Sequence, residues 1–148
     1  MKEQKKIDEG FMRSAIAEAK AGEAKGEVPV GAVVVCEGRI IARAHNLTET
    51  LNDPTAHAEM QAITSATGFL GGKYLDNCTV YVTLEPCSMC AGALFWSQAG
   101  RVVWASDDKK RGFTTFSRDM LHPRTEITKG VLAEECSNLV KEFFRKKR

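Results

Sequence analysis

The sequence predicts an α/β fold of three layers, a mixed central β-sheet with helices on both faces. Two observations carry this expectation. Helix-like and strand-like segments follow one another in the order αββαβαβ(β)α, each identified by the period of its apolar residues. No internal repeat, low-complexity stretch or Pro/Gly/Ser-rich linker interrupts that order, so residues 1–148 read as one domain.

The first helix is expected to open near Asp8, a residue suited to an N-cap. Phe11, Ala15 and Ala19 follow at fourfold spacing with Met12 and Ile16 beside them, and the helix should end by Gly22 or Gly26. Val30 to Cys36 is a nearly unbroken β-branched run. Glu37-Gly38 then gives a turn and Arg39 to Ala44 a second strand, closed by Asn46: the pattern of a hairpin. A polar loop leads to Pro54-Thr55, and His57 to Thr67 reads as a second helix stopped by Gly68. Thr79 to Leu84 alternates as a strand should, and Pro86 stops it before a third helix, Ser88 to Gln98. Arg101 to Ala105 forms a further short strand, and after a long polar loop Glu126 to Lys129 forms a fifth. The last helix follows Gly130, with Leu132, Cys136, Leu139, Val140 and Phe143 on one face. Strand order is not readable from these local patterns.

Composition narrows the class. An apolar fraction of 43% and a charged fraction of 27% are those of a globular protein, and no apolar run approaches the ~20 residues that span a bilayer. The opening Met1-Lys2-Glu3-Gln4-Lys5-Lys6 has no apolar signal core, which points to the cytoplasm and away from membranes. Five cysteines, an odd number in such a chain, suggest a metal or redox role for some of them. Only Cys87 and Cys90 are closely spaced; Cys36, Cys78 and Cys136 read as small buried thiols. A net charge of +2 is too small to argue for a nucleic-acid partner. Two local basic stretches stand out, Lys109-Lys110-Arg111 and a C-terminal tip of Lys141, Arg145, Lys146, Lys147 and Arg148 against Glu142. Each suits a solvated helix end or a phosphate contact equally.

The chemistry lies in His57-Ala58-Glu59 and in Pro86-Cys87-Ser88-Met89-Cys90. Cys87 and Cys90, three apart at a helix start, present both sulfurs to one side, where backbone N–H groups and the helix dipole favour thiolates. His57 supplies a neutral imidazole, and three protein ligands around tetrahedral Zn²⁺ leave one position for water. Glu59, two residues beyond the histidine, is placed to reach that water without ligating the metal and so to move protons. The competing arrangement is a structural zinc knuckle closed by Cys36, Cys78 or Cys136, which has no use for Glu59. A thioredoxin-like redox pair would leave His57-Ala58-Glu59 unexplained.

These motifs match the H-x-E…P-C-x-x-C signature, and the chain resembles the zinc nucleobase deaminases of the cytidine-deaminase superfamily. The similarity runs through Glu27-Val28-Pro29-Val30-Gly31-Ala32-Val33, Asn46, Asp53 to Glu59, Tyr81 to Cys87, Met89 to Ala93 and Gly100 to Val103. The tail from Glu126-Ile127-Thr128 to Phe143-Phe144-Arg145 resembles that of tRNA-specific adenosine deaminases. The resemblance implies a cytidine-deaminase-like fold, a homodimer, and hydrolysis of the wobble adenosine of a tRNA anticodon loop to inosine with release of ammonia. It also implies that Asn46 hydrogen-bonds the base, that Val30 and Ala58 line its pocket, and that Asp108, Lys110, Phe144 and Arg145 meet flanking nucleotides.

Two segments differ from that pattern. Lys109-Lys110-Arg111-Gly112-Phe113-Thr114-Thr115-Phe116 stands where those relatives usually carry small residues ending in Gly-Ser. Asn52-Asp53-Pro54-Thr55 and the neighbourhood of Trp96 also resemble bacterial guanine deaminases, which act on a free base. A free-base deaminase on the same zinc site is therefore the alternative, and the tail Phe143 to Arg148 favours RNA. A third reading, an idle RNA-binding subunit, leaves Glu59 without purpose.

Overall fold

The structure is a computed structural model describing residues 2–147; Met1 and Arg148, the last charge of the basic tip, lie outside the described residues. In chain order the elements are α1 (Lys2–Glu23), β1 (Gly31–Cys36), β2 (Arg39–His45), α2 (Thr48–Leu51), α3 (Ala58–Leu70), β3 (Cys78–Leu84), α4 (Ser88–Trp96) and β4 (Arg101–Ser106). A 3₁₀ turn (Phe113–Thr115), β5 (Glu126–Lys129) and α5 (Ala133–Lys147) complete them.

The five strands form one mixed sheet in the order β2-β1-β3-β4-β5. β1 runs antiparallel to both β2 and β3, whereas β3, β4 and β5 are parallel. Glu37 and Gly38 both adopt positive φ (52° and 76°), the combination that a tight two-residue hairpin between β1 and β2 requires. The parallel pair β3 and β4 needs a crossover, and α4 supplies it.

Side-chain alternation sorts the core into two layers. Ala32, Val34, Val80, Val82, Val102 and Trp104 pack with Ala58, Ala62 and Ala66 of α3 and with Ala91 and Leu94 of α4. Their odd-numbered neighbours Val33, Val35, Tyr81, Val103 and Ala105 pack on the other face with Met12, Ala15 and Ile16 of α1 and Cys136 of α5. The expected three layers are thus present. Gly31 allows α1 to lie directly on β1, since an added Cβ would overlap the Ala15 carbonyl oxygen and reach 2.6 Å from the Ala19 nitrogen.

Four local expectations are corrected. Asp8 does not cap α1, which already begins at Lys2. It lies buried inside the helix and accepts hydrogen bonds from both terminal nitrogens of Arg101 (2.8 and 2.7 Å), from the Tyr81 hydroxyl (2.7 Å) and from Gln4 (3.0 Å). Its acid ties α1 to β3 and β4. Gly68 does not stop α3, which continues to Leu70, where Gly71 takes the left-handed C-cap (φ 71°). α4 ends at Trp96, short of the expected Gln98, which has φ 55°. Finally, the polar loop after Asn46 holds α2, a helix too short to show a period.

Candidate active site

α3 and α4 bring their N-termini together beyond the carboxyl end of β3. His57 is the N-cap of α3 (φ −72°, ψ 157°) and Cys87 that of α4 (φ −74°, ψ 175°), with Cys90 in the first turn. His57 Nδ1 stands 3.6 Å from Cys87 Sγ and 3.5 Å from Cys90 Sγ. The donor atoms of this group lie within 4.8 Å of one another, and among the described residues no other such group exists. Zn–S bonds of about 2.3 Å and a Zn–N bond of about 2.0–2.1 Å at the tetrahedral angle require an N···S separation of about 3.5–3.6 Å. The donor set therefore fits zinc.

The other thiols do not close this set. Cys36 and Cys78 face each other across β1 and β3, and Cys136 lies in the core on the opposite face of the sheet. A three-residue site is what remains.

The two thiols shift in opposite directions. The Cys90 thiol, helped by His57 and the Cys90 backbone N–H, outweighs burial and brings Cys87 down to about 3. Cys90 is pushed upward, first by Cys87 and then by burial. His57 is raised by its hydrogen bond to Cys87 in spite of burial. Metal binding displaces protons from such a set, because the ligating forms are thiolate and neutral imidazole. Glu59, in the first turn of α3 and only 4% exposed, is not a member of the group. Burial pushes its carboxyl up to about 7 against the opposing pull of its own backbone N–H, His57 and Cys90. It is thus a group that can hold or release a proton near neutral pH.

Asn46, Val30 and Ala58 meet beside this cluster. Asn46 Oδ1 accepts from the Ala58 N–H (2.9 Å), Nδ2 donates to the Val28 carbonyl (3.3 Å), and the Asn46 backbone N–H donates to the Val30 carbonyl (3.2 Å). Val30 and Ala58 are buried, so the amide is held between the start of β1 and the start of α3. One N–H and one acceptor position of Asn46 remain for a ligand. On the other side, Gly112 forms an isolated antiparallel bridge with Cys87, which sets the segment after β4 against the sulfur ligand. In that segment Asp108 Oδ1 accepts the backbone N–H groups of Lys110 and Arg111 (3.1 Å each), and the Lys110 side chain is exposed.

The model of the cytidine and deoxycytidylate deaminase zinc-binding region matches residues 5–106. The chain belongs to this deaminase family. Over 146 residues this deaminase is 47% identical to the tRNA-specific adenosine deaminase of Bacillus subtilis (strain 168), covering 95% of this chain and 91% of that protein. A solved structure from work on A-to-I editing by tRNA:A34 deaminases at the wobble position superposes with a TM-score of 0.82 at 38% identity, over 88% of this chain and 98% of that one. Guanine deaminase from Bacillus subtilis superposes with a TM-score of 0.67 at 33% identity, over 93% of each chain. The deaminase is accordingly a zinc enzyme, with the cytidine-deaminase-like fold expected from its motifs.

The C-terminal residues of the deaminase stand apart from this cluster in their bonding. Phe144 is 46% exposed and packs edge-on against the buried Phe143, with centroids 5.3 Å apart. Arg145 is already committed to a two-pronged bond with Glu142 (2.8 Å each) on the exposed surface of α5. Two acids went unassigned in the sequence. Glu27 and Glu85 are both buried, and each ties down a loop beside the site through several hydrogen bonds. Their signal was an acid set directly against an apolar or proline-containing segment, since burial of such a group is costly unless it is bonded.

Proposed function

We propose that this deaminase converts the wobble adenosine of a tRNA anticodon loop to inosine and ammonia, with His57, Cys87 and Cys90 holding Zn²⁺ and Glu59 moving protons. The reading is carried by sequence identity: 47% to a tRNA-specific adenosine deaminase over 95% of this chain, against 33% to the guanine deaminase of Bacillus subtilis. When bound, zinc supplies an acidified water that is a nucleophile at neutral pH. Glu59 acts as the proton carrier: one proton of the attacking water goes to the ring nitrogen, and the second, from the hydroxyl that water leaves on the ring carbon, goes to the departing amine to give ammonia. Burial of Glu59 raises its carboxyl above the ordinary carboxylate range, which favours proton uptake. Asn46 offers its free amide positions to the base, while Val30 and Ala58 form an apolar wall that excludes water.

A base already splayed in a single-stranded loop costs little to turn out of its stack. Asp108, Lys110, Phe144 and Arg145 meet the nucleotides on either side, and the basic triplet and tip lie along the phosphates. The unit is a single domain of residues 1–148, working in the cytoplasm as a homodimer. Trp96, 76% exposed on the helix that carries Cys90, is an aromatic surface of the kind a second copy covers.

The test is incubation with unmodified tRNA carrying a wobble adenosine, beside free guanine, cytidine and adenosine. Inosine appearing in the tRNA alone is the expected result. Ammonia from guanine alone replaces this reading with that of a free-base deaminase.

A further inference from the structure

Glu85 lies between the end of β3 and Pro86, only 3% exposed, and forms no ion pair among the described residues. Its carboxylate accepts from the Asp108 N–H (3.1 Å), the Thr114 N–H (3.0 Å) and the Thr114 hydroxyl (2.7 Å). Every one of these donors belongs to the segment that follows β4. The same segment is fastened a second time, by the Phe113 N–H donating to the Pro86 carbonyl (2.9 Å), and Phe113 is wholly buried edge-on against Trp104. Gly112 completes the arrangement. A Cβ there would overlap the Glu85 carboxylate itself, so the glycine lets the loop backbone pass directly over the acid and reach Cys87.

We infer that Glu85 is a positioning residue: it holds Asp108 to Thr114 as a preformed wall beside the Cys87 ligand and turns Lys109, Lys110 and Arg111 outward as a fixed cationic edge for the RNA strand. This rests on the proposed tRNA substrate for what the edge meets, and on geometry alone for the wall. All three basic side chains are exposed, and none takes part in an ion pair among the described residues. A loop ordered before binding spares the complex the entropy of ordering it on contact with the RNA. A buried carboxylate suits this task, since its hydrogen bonds are stronger than those of a neutral acceptor.

The test uses the zinc-loaded enzyme with Glu85→Gln and, as the milder change, Thr114→Val, which removes only the hydroxyl bond. Zinc content, amide hydrogen exchange and tRNA kinetics are measured for each. The expected result is exchange about tenfold faster at the Asp108, Gly112 and Thr114 amides, with core strands and bound zinc unchanged. For Thr114→Val the KM for tRNA rises by a similar factor while kcat holds. Unaltered protection of those amides in both variants overturns the inference, as does an unaltered KM accompanied by a lower Tm. If wild-type enzyme leaves tRNA untouched, the substrate reading has failed, and the exchange result still decides whether Glu85 holds the wall.

Discussion

Replacing Glu27 by glutamine changes the anchor of the rim that carries Asn46 and His57. The buried Glu27 carboxylate accepts four hydrogen bonds from the start of α2. One oxygen takes the Thr48 hydroxyl (3.4 Å) and Glu49 N–H (3.1 Å), the other the Thr50 N–H (2.7 Å) and hydroxyl (2.6 Å). In glutamine one oxygen becomes an NH₂ that cannot accept. The amide would keep its oxygen on the shorter Thr50 pair, leaving the Glu49 N–H facing another donor. An unsatisfied buried N–H and the lost charge on the surviving bonds together cost about 3 kcal/mol, or roughly 9 °C in Tm for a chain of this size. The pH dependence has a definite sign. Burial pushes Glu27 up, but the bonds from Thr50, Glu49 and Thr48 together bring it below its ordinary 4.5. A group lowered on folding stabilises fully above its unfolded value and loses that contribution as pH falls through the folded one. The Tm gap between wild type and Glu27→Gln should therefore be widest at neutral pH and shrink below about 4.5. Thermal melts across that range, with hydrogen exchange at Glu49 and Thr50, measure both effects. A variant within about 1 °C of wild type at neutral pH, or a gap that stays constant in acid, refutes the reasoning.

Glu59→Gln should retain zinc by elemental analysis while turnover falls by about 10²–10⁴-fold; loss of zinc would make Glu59 a support of the metal and remove its proton role. Asp8→Asn strips the ion-pair partner from Arg101, whose side chain is only 17% exposed, and should cost about 3–5 kcal/mol in denaturant unfolding. A change below about 1 kcal/mol would show the pair to be no stronger than a surface one. Removing residues 145–148 should weaken tRNA binding and flatten its dependence on salt. An unchanged salt slope in filter binding returns the tip to a plain solvated helix end.

The layers of the fold were legible because the apolar, β-branched runs of β1, β3 and β4 and the helical stripes of α1 and α5 are local signals that tertiary packing only reinforces. Strand order was not, since placing β1 between β2 and β3 depends on pairings far apart in sequence. The metal-binding trio was legible for a chemical reason: few uses other than a metal site would bring a histidine, an acid two residues on and a Cys-x-x-Cys helix start into one chain. The buried acids were harder. Asp8 satisfied every local rule for a cap, and only its contact with Arg101, distant in sequence, reveals its true office. Arg145 is paired with Glu142 on the same helix, but both side chains are exposed, and such a surface pair is weak enough for a phosphate to displace.

Substrate choice cannot reside in the zinc trio, because the same family signature serves enzymes that act on a free base and enzymes that act on tRNA. It has to lie in the segments around the trio. A free-base enzyme encloses a small ligand in a compact pocket. An anticodon loop cannot be swallowed whole; it demands walls that stay in place while the strand passes across them. The segment after β4 is bonded to Glu85 and Pro86 from beneath, sealed by the buried Phe113, and bears three exposed cations on its outer side. A loop so anchored, with its cations facing outward, is well suited to guiding a polyanion. The departure of Lys109 to Phe116 from the usual small-residue stretch therefore favours an RNA substrate once its anchoring is taken into account.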